Sequence, residues 1–165
     1  MSVTLPSGVR KQAFQAFARI IMTDPVLKRE VKQWRVWDGS HGNEEPAVGE
    51  LPCVQLRMTG GSIERLCSDG DLPNDVTLRT SPSILIDIWV AGTDAGVLMD
   101  VYDTIDRALF PQDDAAMTAL QGRLWEVGIM DVVPTQDVMP RGDADYTAQG
   151  VHGQGCYQLT LVLTQ

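Results

Sequence analysis

Two segments of the sequence show a strict alternation of apolar and other side chains, which restricts the fold more than any other pattern in the chain. In residues 83–91 the positions on one side of the pattern are all β-branched: Ile84, Ile86, Ile88 and Val90. A similar pattern close to the C-terminus is formed by Tyr157, Leu159, Leu161 and Leu163. Successive side chains of a β-strand point to opposite faces, so both segments are predicted to be strands with one face in a core. A chain of 165 residues built around such strands is expected to form a single domain over residues 1–165.

Two other segments have helical spacing. Apolar residues recur every three or four positions in residues 8–22, and the opposite side of this segment carries Arg10, Lys11 and Arg19. A second amphipathic helix is predicted over residues 94–110, with Thr93 or Asp94 as its N-cap. Its apolar stripe consists of Leu98, Val101, Ile105 and Leu109, and its polar side carries Asp100, Asp103 and Asp106.

The other elements are assigned from shorter patterns. Strands are predicted at residues 34–37, 53–59 and 124–133, and short helices after Pro25 and at residues 113–120. Extended loops are predicted at residues 38–52, 60–82 and 134–155; the second begins with a turn at Gly60-Gly61 and is an exposed excursion or a β-hairpin arm. The predicted fold is therefore α+β, a mostly antiparallel sheet with two main helices packed on one face and long loops.

The charge of the chain is negative and unevenly distributed. The formal net charge of −9 argues against a protein that binds nucleic acids by neutralising phosphates. Residues 1–36 hold seven basic and two acidic residues, a balance of +5, whereas the rest of the chain holds six basic and twenty acidic ones, a balance of −14. Two interpretations stay open: a solvated basic helix on an acidic protein, or a head-to-tail assembly in which basic and acidic surfaces of neighbouring copies attract each other.

The sequence nominates no catalytic, cofactor-binding or metal-binding residues. His41 and His152 each lie beside glycines, so both are predicted to be surface residues of flexible loops rather than bases with fixed geometry. Cys53, Cys67 and Cys156 are widely spaced and odd in number, which favours reduced thiols over a disulfide framework or a zinc site. We therefore expect a protein with no cofactor and no enzymatic activity, and the lack of a long apolar run predicts no membrane span.

Six residues are candidates for contact with another chain. The sequence contains four tryptophans although only 6% of its residues are aromatic, and strand parity predicts that some indoles lie on the less buried faces. Exposed tryptophans are typical interface anchors, and clustered basic residues can orient a partner. The candidate interface residues are Arg10, Lys11, Arg19, Trp34, Trp37 and Trp89.

The order of elements resembles the tail-terminator proteins of long-tailed bacteriophages. The segments that carry this resemblance are Leu51-Pro52-Cys53-Val54-Gln55-Leu56 followed by Thr59-Gly60, the isoleucine-rich strand ending in Ala91-Gly92, and the closing strand Tyr157-Gln158-Leu159-Thr160-Leu161. The resemblance covers most of the chain. It implies a small α+β subunit without an active site, which forms a ring of six copies that closes the tail tube beneath the head.

The resemblance also implies partners and a location. The ring would contact the tail tube protein and a neck or head-completion protein, and genomic DNA would pass through it without specific binding. The subunit would assemble in the cytoplasm of the bacterial host and reside in the virion. Our hypothesis is that Asp100, Asp103 and Asp106 face the channel, where like charge would keep DNA phosphates from adhering.

Two alternatives stand beside this interpretation. A neck or head-completion connector from the same kind of virion would share the small size, the acidity and the self-association, but it would dock on the portal side. The alternative from a different class is a small cytoplasmic enzyme, which would require a pocket with convergent polar groups.

Overall fold

The computed structural model describes residues 9–36, 44–66, 77–140, 145–147 and 150–164. Its helices are α1 (Val9–Met22), α2 (Pro25–Glu30), α3 (Ala95–Leu109) and α4 (Asp114–Glu126), with a 3-10 turn at Val48–Glu50. Its strands are β1 (Gln33–Val36), β2 (Cys53–Leu66), β3 (Thr77–Ala91), β4 (Ile129–Met139) and β5 (Gly150–Thr164). The predicted α+β class and the mostly antiparallel sheet are confirmed.

The five strands lie in the order β1-β2-β3-β5-β4. β1 runs parallel to β2, and the other three pairs are antiparallel. β3 is the central strand, since it pairs with β2 from Trp89 to Thr77 and with β5 from Ala91 to Thr77. The two edges of the sheet are therefore β1, which has only four residues, and the longer β4.

The two faces of the sheet have different chemistry. The apolar side of β3 is completely buried and consists of Ile84, Ile86, Ile88 and Val90. These residues share one core with apolar residues of all four helices, so the helices cover this face of the sheet. We call it the helix-covered face. The opposite face, here the polar face, carries Asp87 and Trp89 from β3 and His152 and Gln154 from β5. The predicted apolar stripe of α3 is buried as well.

Aspartate side chains fix the starts of three helices. Asp24 accepts hydrogen bonds from the amides of residues 26 and 27 at 2.9 and 3.1 Å, and Asp113 accepts one from the amide of residue 116 at 2.8 Å. Asp94, rather than Thr93, caps α3 by accepting from the amide of residue 96 at 2.8 Å. These bonds satisfy amides that have no partner within the first turn of a helix.

The predicted loop at residues 60–82 is mostly an arm of β-structure. β2 continues to Leu66, β3 begins at Thr77, and the two strands pair across this region, so the hairpin-arm interpretation holds for the described residues. The predicted turn at Gly60-Gly61 is wrong. These glycines accompany a register shift between Thr59 and Ser62, and Gly61 is needed there because a Cβ would collide with the backbone of Ser81.

The predicted loop at residues 134–155 is also largely wrong, because β4 extends to Met139 and β5 already begins at Gly150. The glycines that suggested a loop serve close packing. A Cβ at Gly153 would lie 2.8 Å from a methyl group of Val138 and 2.9 Å from one of Leu98, so only glycine lets α3 approach β5 this closely. Gly155 is similarly crowded by Val138.

The boundary between α4 and β4 differs from its prediction. The helix predicted at residues 113–120 extends to Glu126, so α4 is a third substantial helix beside α1 and α3, and residues 124–126 are helix rather than strand. Gly128, at φ +81°, makes the turn from α4 into β4. The strand predicted at 53–59 is correct but ends too early, because β2 continues to Leu66. In the predicted loop 38–52, the described residues 44–52 contain only the 3-10 turn.

Candidate functional site

The polar face carries a hydrogen-bonded group of side chains centred on Asp87, whose own side chain is only 3% exposed. Its Oδ1 accepts hydrogen bonds from Gln154 Nε2 at 2.9 Å and from His152 Nε2 at 3.0 Å. Its Oδ2 accepts one from Arg57 Nη2 at 2.8 Å. The second ring nitrogen of His152, Nδ1, lies 3.2 Å from Asp145 Oδ1. We call these five residues the Asp87 network.

The network favours the charged forms of Asp87 and His152. Burial by itself would raise the pKa of Asp87, but hydrogen bonds from His152 and Arg57 and the charge of the guanidinium outweigh it and lower that pKa. Burial by itself would lower the pKa of His152, but its bonds to Asp87 and Asp145 outweigh burial and raise that pKa above its ordinary value of 6.5. An imidazole that faces a carboxylate with each nitrogen is best satisfied when both nitrogens are protonated.

Trp89 lies beside the network and is buried. Its ring stacks on that of His152, with 4.7 Å between centroids and 18° between planes, and it forms a small apolar cluster with Leu51 and Cys53. The prediction that Trp89 is an exposed interface anchor is therefore wrong, since the indole is 8% exposed. The alternation of side chains along β3 does place Trp89 on the face that the helices leave uncovered. Leu51, in the segment that leads into β2, packs with Trp89 there and shields it from water.

The histidine of the Asp87 network and the cysteine beside it are already hydrogen-bonded or protonated. Both nitrogens of His152 are engaged by carboxylates, so neither is available to a substrate. Burial raises the pKa of the nearby Cys53 thiol to about 11, which keeps it protonated and weakly nucleophilic. The adjoining cavity, next to Trp89 and His152, measures about 100 Å³, smaller than the several hundred Å³ of a typical ligand pocket. Within the described ranges no cluster of three or more His, Cys, Asp or Glu residues could hold a metal ion.

His152 was predicted to be a flexible surface residue, and this prediction is wrong. It belongs to β5 and is held on three sides by Asp87, Asp145 and Trp89. His41, Trp37 and Cys67 lie outside the described residues. Cys53 and Cys156 are free thiols, in agreement with the prediction for these two.

A larger cavity lies between α1 and the arm formed by β2 and β3, on the helix-covered side. It encloses about 670 Å³ and its lining is mostly apolar. We call it the α1 groove. Its apolar lining includes Phe14, Val36, Met58, Ile63 and Pro82, and its polar lining includes Arg10, Lys11 and Gln15. The amphipathic pattern of α1 explains this composition, because the helix turns its apolar side to the sheet and leaves its first basic residues at the mouth of the groove.

The structure separates the remaining candidate interface residues. Arg10 and Lys11 both line the α1 groove. Arg19 is exposed in the last turn of α1, away from the lining of that groove. Trp34 is half-buried and packs against the main core, so most of its surface stabilises the fold.

The three candidate channel-facing aspartates of α3 are not equivalent. Asp100 and Asp103 are exposed. Asp106 is half-buried, and its Oδ1 accepts a hydrogen bond from the hydroxyl of the fully buried Tyr157 at 3.1 Å. Asp106 therefore contributes to the polar boundary of the core, and only Asp100 and Asp103 present free acidic surface.

The edge strand β4 presents exposed apolar side chains. Met130, Val133 and Met139 are 45%, 43% and 46% exposed, and Asp131 and Asp137 are exposed between them. In the described part of the chain β4 pairs with β5 alone, so its other edge carries no strand. Pro134 and three register shifts interrupt its hydrogen-bonding pattern, which disfavours the regular addition of a further strand.

No protein-family model matches this chain, and a search of curated proteins finds no similar sequence. Among the helices of the described ranges, none combines the length and the apolar character needed to cross a membrane.

Proposed function

We propose that this chain is a structural subunit that assembles with copies of itself into a ring. The observation that carries this proposal is the α1 groove, a cavity of about 670 Å³ with an apolar floor and two cationic residues at its mouth. Phe14 and Pro82 in its lining are buried, but Ile63 is 59% exposed and would leave water if a partner covered the groove. The uneven charge of the chain, +5 over residues 1–36 and −14 over the rest, supports association between unlike surfaces.

The ring has a specific setting in this proposal, which is the tail of a long-tailed bacteriophage. The α+β architecture with helices on one face agrees with what the resemblance to tail-terminator proteins implies. In this role six copies would cap the tail tube, end its polymerisation and form the joint to the head or neck. Asp100 and Asp103 would line the channel and repel DNA phosphates, whereas the half-buried Asp106 would support the subunit itself.

The arrangement of the polar face supports a structural role over an enzymatic one. His152 is bound on both nitrogens and the Cys53 thiol is protonated, so neither is available as a base or a nucleophile. We propose that the Asp87 network ties β2, β3 and β5 together on the face that the helices leave uncovered. A neck connector would use the same kinds of surface, and the partner that it binds would distinguish it from a terminator.

The proposal is tested by the mass and shape of the purified chain. Sedimentation velocity over a wide concentration range, combined with negative-stain electron microscopy, should detect a closed ring of fixed copy number. Binding of that ring to one end of purified tail tubes would support the terminator role, and binding to portal-containing heads alone would support the connector. A chain that stays monomeric at every concentration, with and without tubes or heads, would contradict the proposal.

A further inference from the structure

We infer that the α1 groove of one copy receives the β4 edge of a second copy. The β4 edge is defined here as the exposed side chains Met130, Asp131, Val133, Asp137 and Met139. This inference rests on the proposed function, and it names the partner of the groove and the contacts that would orient the ring.

The groove and the edge match in chemistry. The groove offers apolar side chains, including the 59% exposed Ile63, with Arg10 and Lys11 at its mouth. The β4 edge offers three exposed apolar side chains with two carboxylates between them. Each cation of the groove thus has a possible carboxylate partner, and the apolar groups on both sides would leave water together.

The positions of the two surfaces fit a ring. The groove lies at the β1–β2 end of the sheet, next to α1, and β4 forms the opposite end. Contact between two different patches of the same protein is heterologous, so each copy keeps one unused surface for the next copy. Such contacts propagate from subunit to subunit and close when the rotation per subunit divides a full turn.

The contact would be made by side chains rather than by strand addition. Pro134 lacks an amide donor and the register shifts of β4 disturb the alignment of its free edge. The groove is bounded by a helix and by the helix-covered face of an arm, so it presents side chains to a partner. Affinity should therefore depend on the charged and apolar groups named above.

The surface of α3 is the competing partner for the groove. It also combines exposed apolar residues with carboxylates, namely Val97, Met99, Asp100 and Asp103. It contacts α1 and α2, and it lies across β3, β5 and β4 on the helix-covered face instead of at the free edge of β4. Reversal of Asp100 and Asp103 is therefore a matched control, because it changes as many charges as reversal at the β4 edge.

The test uses two charge-reversal variants and their mixture. R10E/K11E makes the mouth of the groove acidic, and D131K/D137K makes the β4 edge basic. Each variant alone places like charges at every contact, so the protein concentration needed for ring assembly should rise by at least about tenfold. In an equal mixture each contact again joins opposite charges, and rings of alternating copies should form within about threefold of the wild-type concentration.

The outcomes separate this inference from the proposed function. Recovery in the mixture, with little effect of D100K/D103K, supports the groove and edge as partners. Loss of assembly in D100K/D103K, or no recovery in the mixture although circular dichroism shows both variants folded, overturns the inference while the wild-type ring stands. Absence of wild-type rings under all conditions overturns the proposed function itself.

A second measurement needs no variant. Wild-type protein is mixed with an isotopically labelled copy, assembled and treated with a carbodiimide, which joins amines directly to nearby carboxylates. Mass spectrometry should then find Lys11 of one copy linked to Asp131 or Asp137 of the other. Links from Lys11 to Asp100 or Asp103 of another copy instead would contradict the inference.

Discussion

The two faces of the sheet are built from the same strands but are stabilised in different ways. On the helix-covered face Ile84, Ile86 and Ile88 belong to one core of buried apolar side chains, and the crowding around Gly153 shows that the size of each side chain limits this packing. On the polar face Asp87 is equally buried but is held by three hydrogen-bonding partners. The first face depends on the volume of its side chains, and the second depends on the pairing of charges.

The largest loss should come from Tyr157→Ala on the helix-covered face. Tyr157 is fully buried, and its ring centroid lies 6.1 to 6.3 Å from those of Phe17, Tyr102 and Phe110. We expect the free energy of unfolding to fall by about 4 kcal/mol, because the substitution leaves a cavity among three rings. Urea denaturation measures this loss. Trp125→Ala is the control, since the Trp125 side chain is 52% exposed, and an equal loss in both variants would contradict the prediction.

Asp87→Ala should have the second largest effect. It leaves Arg57 and His152 without their shared carboxylate, and we expect the free energy of unfolding to fall by about 2 to 3 kcal/mol. The same hairpin provides a control in Glu64→Ala, because Glu64 pairs with Arg79 across the same two strands but in the solvent-exposed arm. An exposed pair contributes about 0.5 kcal/mol, so a similar loss in both variants would mean that burial of the Asp87 pair is unimportant.

The contribution of His152 should depend on pH. Because its pKa is raised by folding, its stabilising effect is complete below the unfolded value of 6.5 and disappears as pH rises through the folded value. We expect the free energy of unfolding of the wild type to exceed that of His152→Gln by about 1 to 2 kcal/mol near pH 6. The difference should be smaller near pH 9. Chemical denaturation at several pH values measures this difference. A difference that grows with pH would show that the imidazole is held in its neutral form.

The contribution of Asp87 to stability should also depend on pH, but in the acidic range. Its pKa is lowered by folding, so its contribution is present above the ordinary value of 3.8 and is lost as pH falls through the folded value. The difference in free energy of unfolding between the wild type and Asp87→Ala should therefore decrease in acid. Denaturation curves below the ordinary pKa of an aspartate test this, and a constant gap would indicate that charge on Asp87 is irrelevant to its role.

The smallest effect is expected from Tyr157→Phe, which keeps the ring and removes the hydroxyl that donates to Asp106. The free energy of unfolding should fall by about 1 kcal/mol, the usual contribution of one hydrogen bond. A much larger loss would mean that the helix-covered face also depends on polar pairing, and the contrast between the two faces would then weaken.

The helix-covered face could be predicted from the sequence, and the polar face largely could not. The spacing of apolar residues in α1, α3 and the isoleucine-rich strand directly indicates which side of each element is buried, because each element turns its apolar side to one core. The sequence pattern predicts only the second half of the strand Gly150–Thr164, because Gly153 and Gly155 resemble loop residues when the helix packed against them is unknown. Their spacing of two, with His152 and Gln154 on the other parity, was the available signal.

The Asp87 network could not be derived because its members are distant in sequence. Asp87 meets Gln154 and Arg57 through the registers of two strand pairs, and neither register can be read from the residues themselves. A lone carboxylate between isoleucines does not by itself show which side chains will surround it. The α1 groove was equally hidden, because it depends on the arm being strand where Gly60 and Gly61 suggested a turn.

The length of β3 has a mechanical consequence. This strand runs from the arm into the body as fifteen residues, with β2 along one side and β5 along the other. A force applied to the arm is therefore shared by hydrogen bonds on both flanks of β3, and the register shift between Thr59 and Ser62 interrupts them on the β2 side. We expect displacement of the described part of the arm to be transmitted along β3 and β5 to Asp87 and His152.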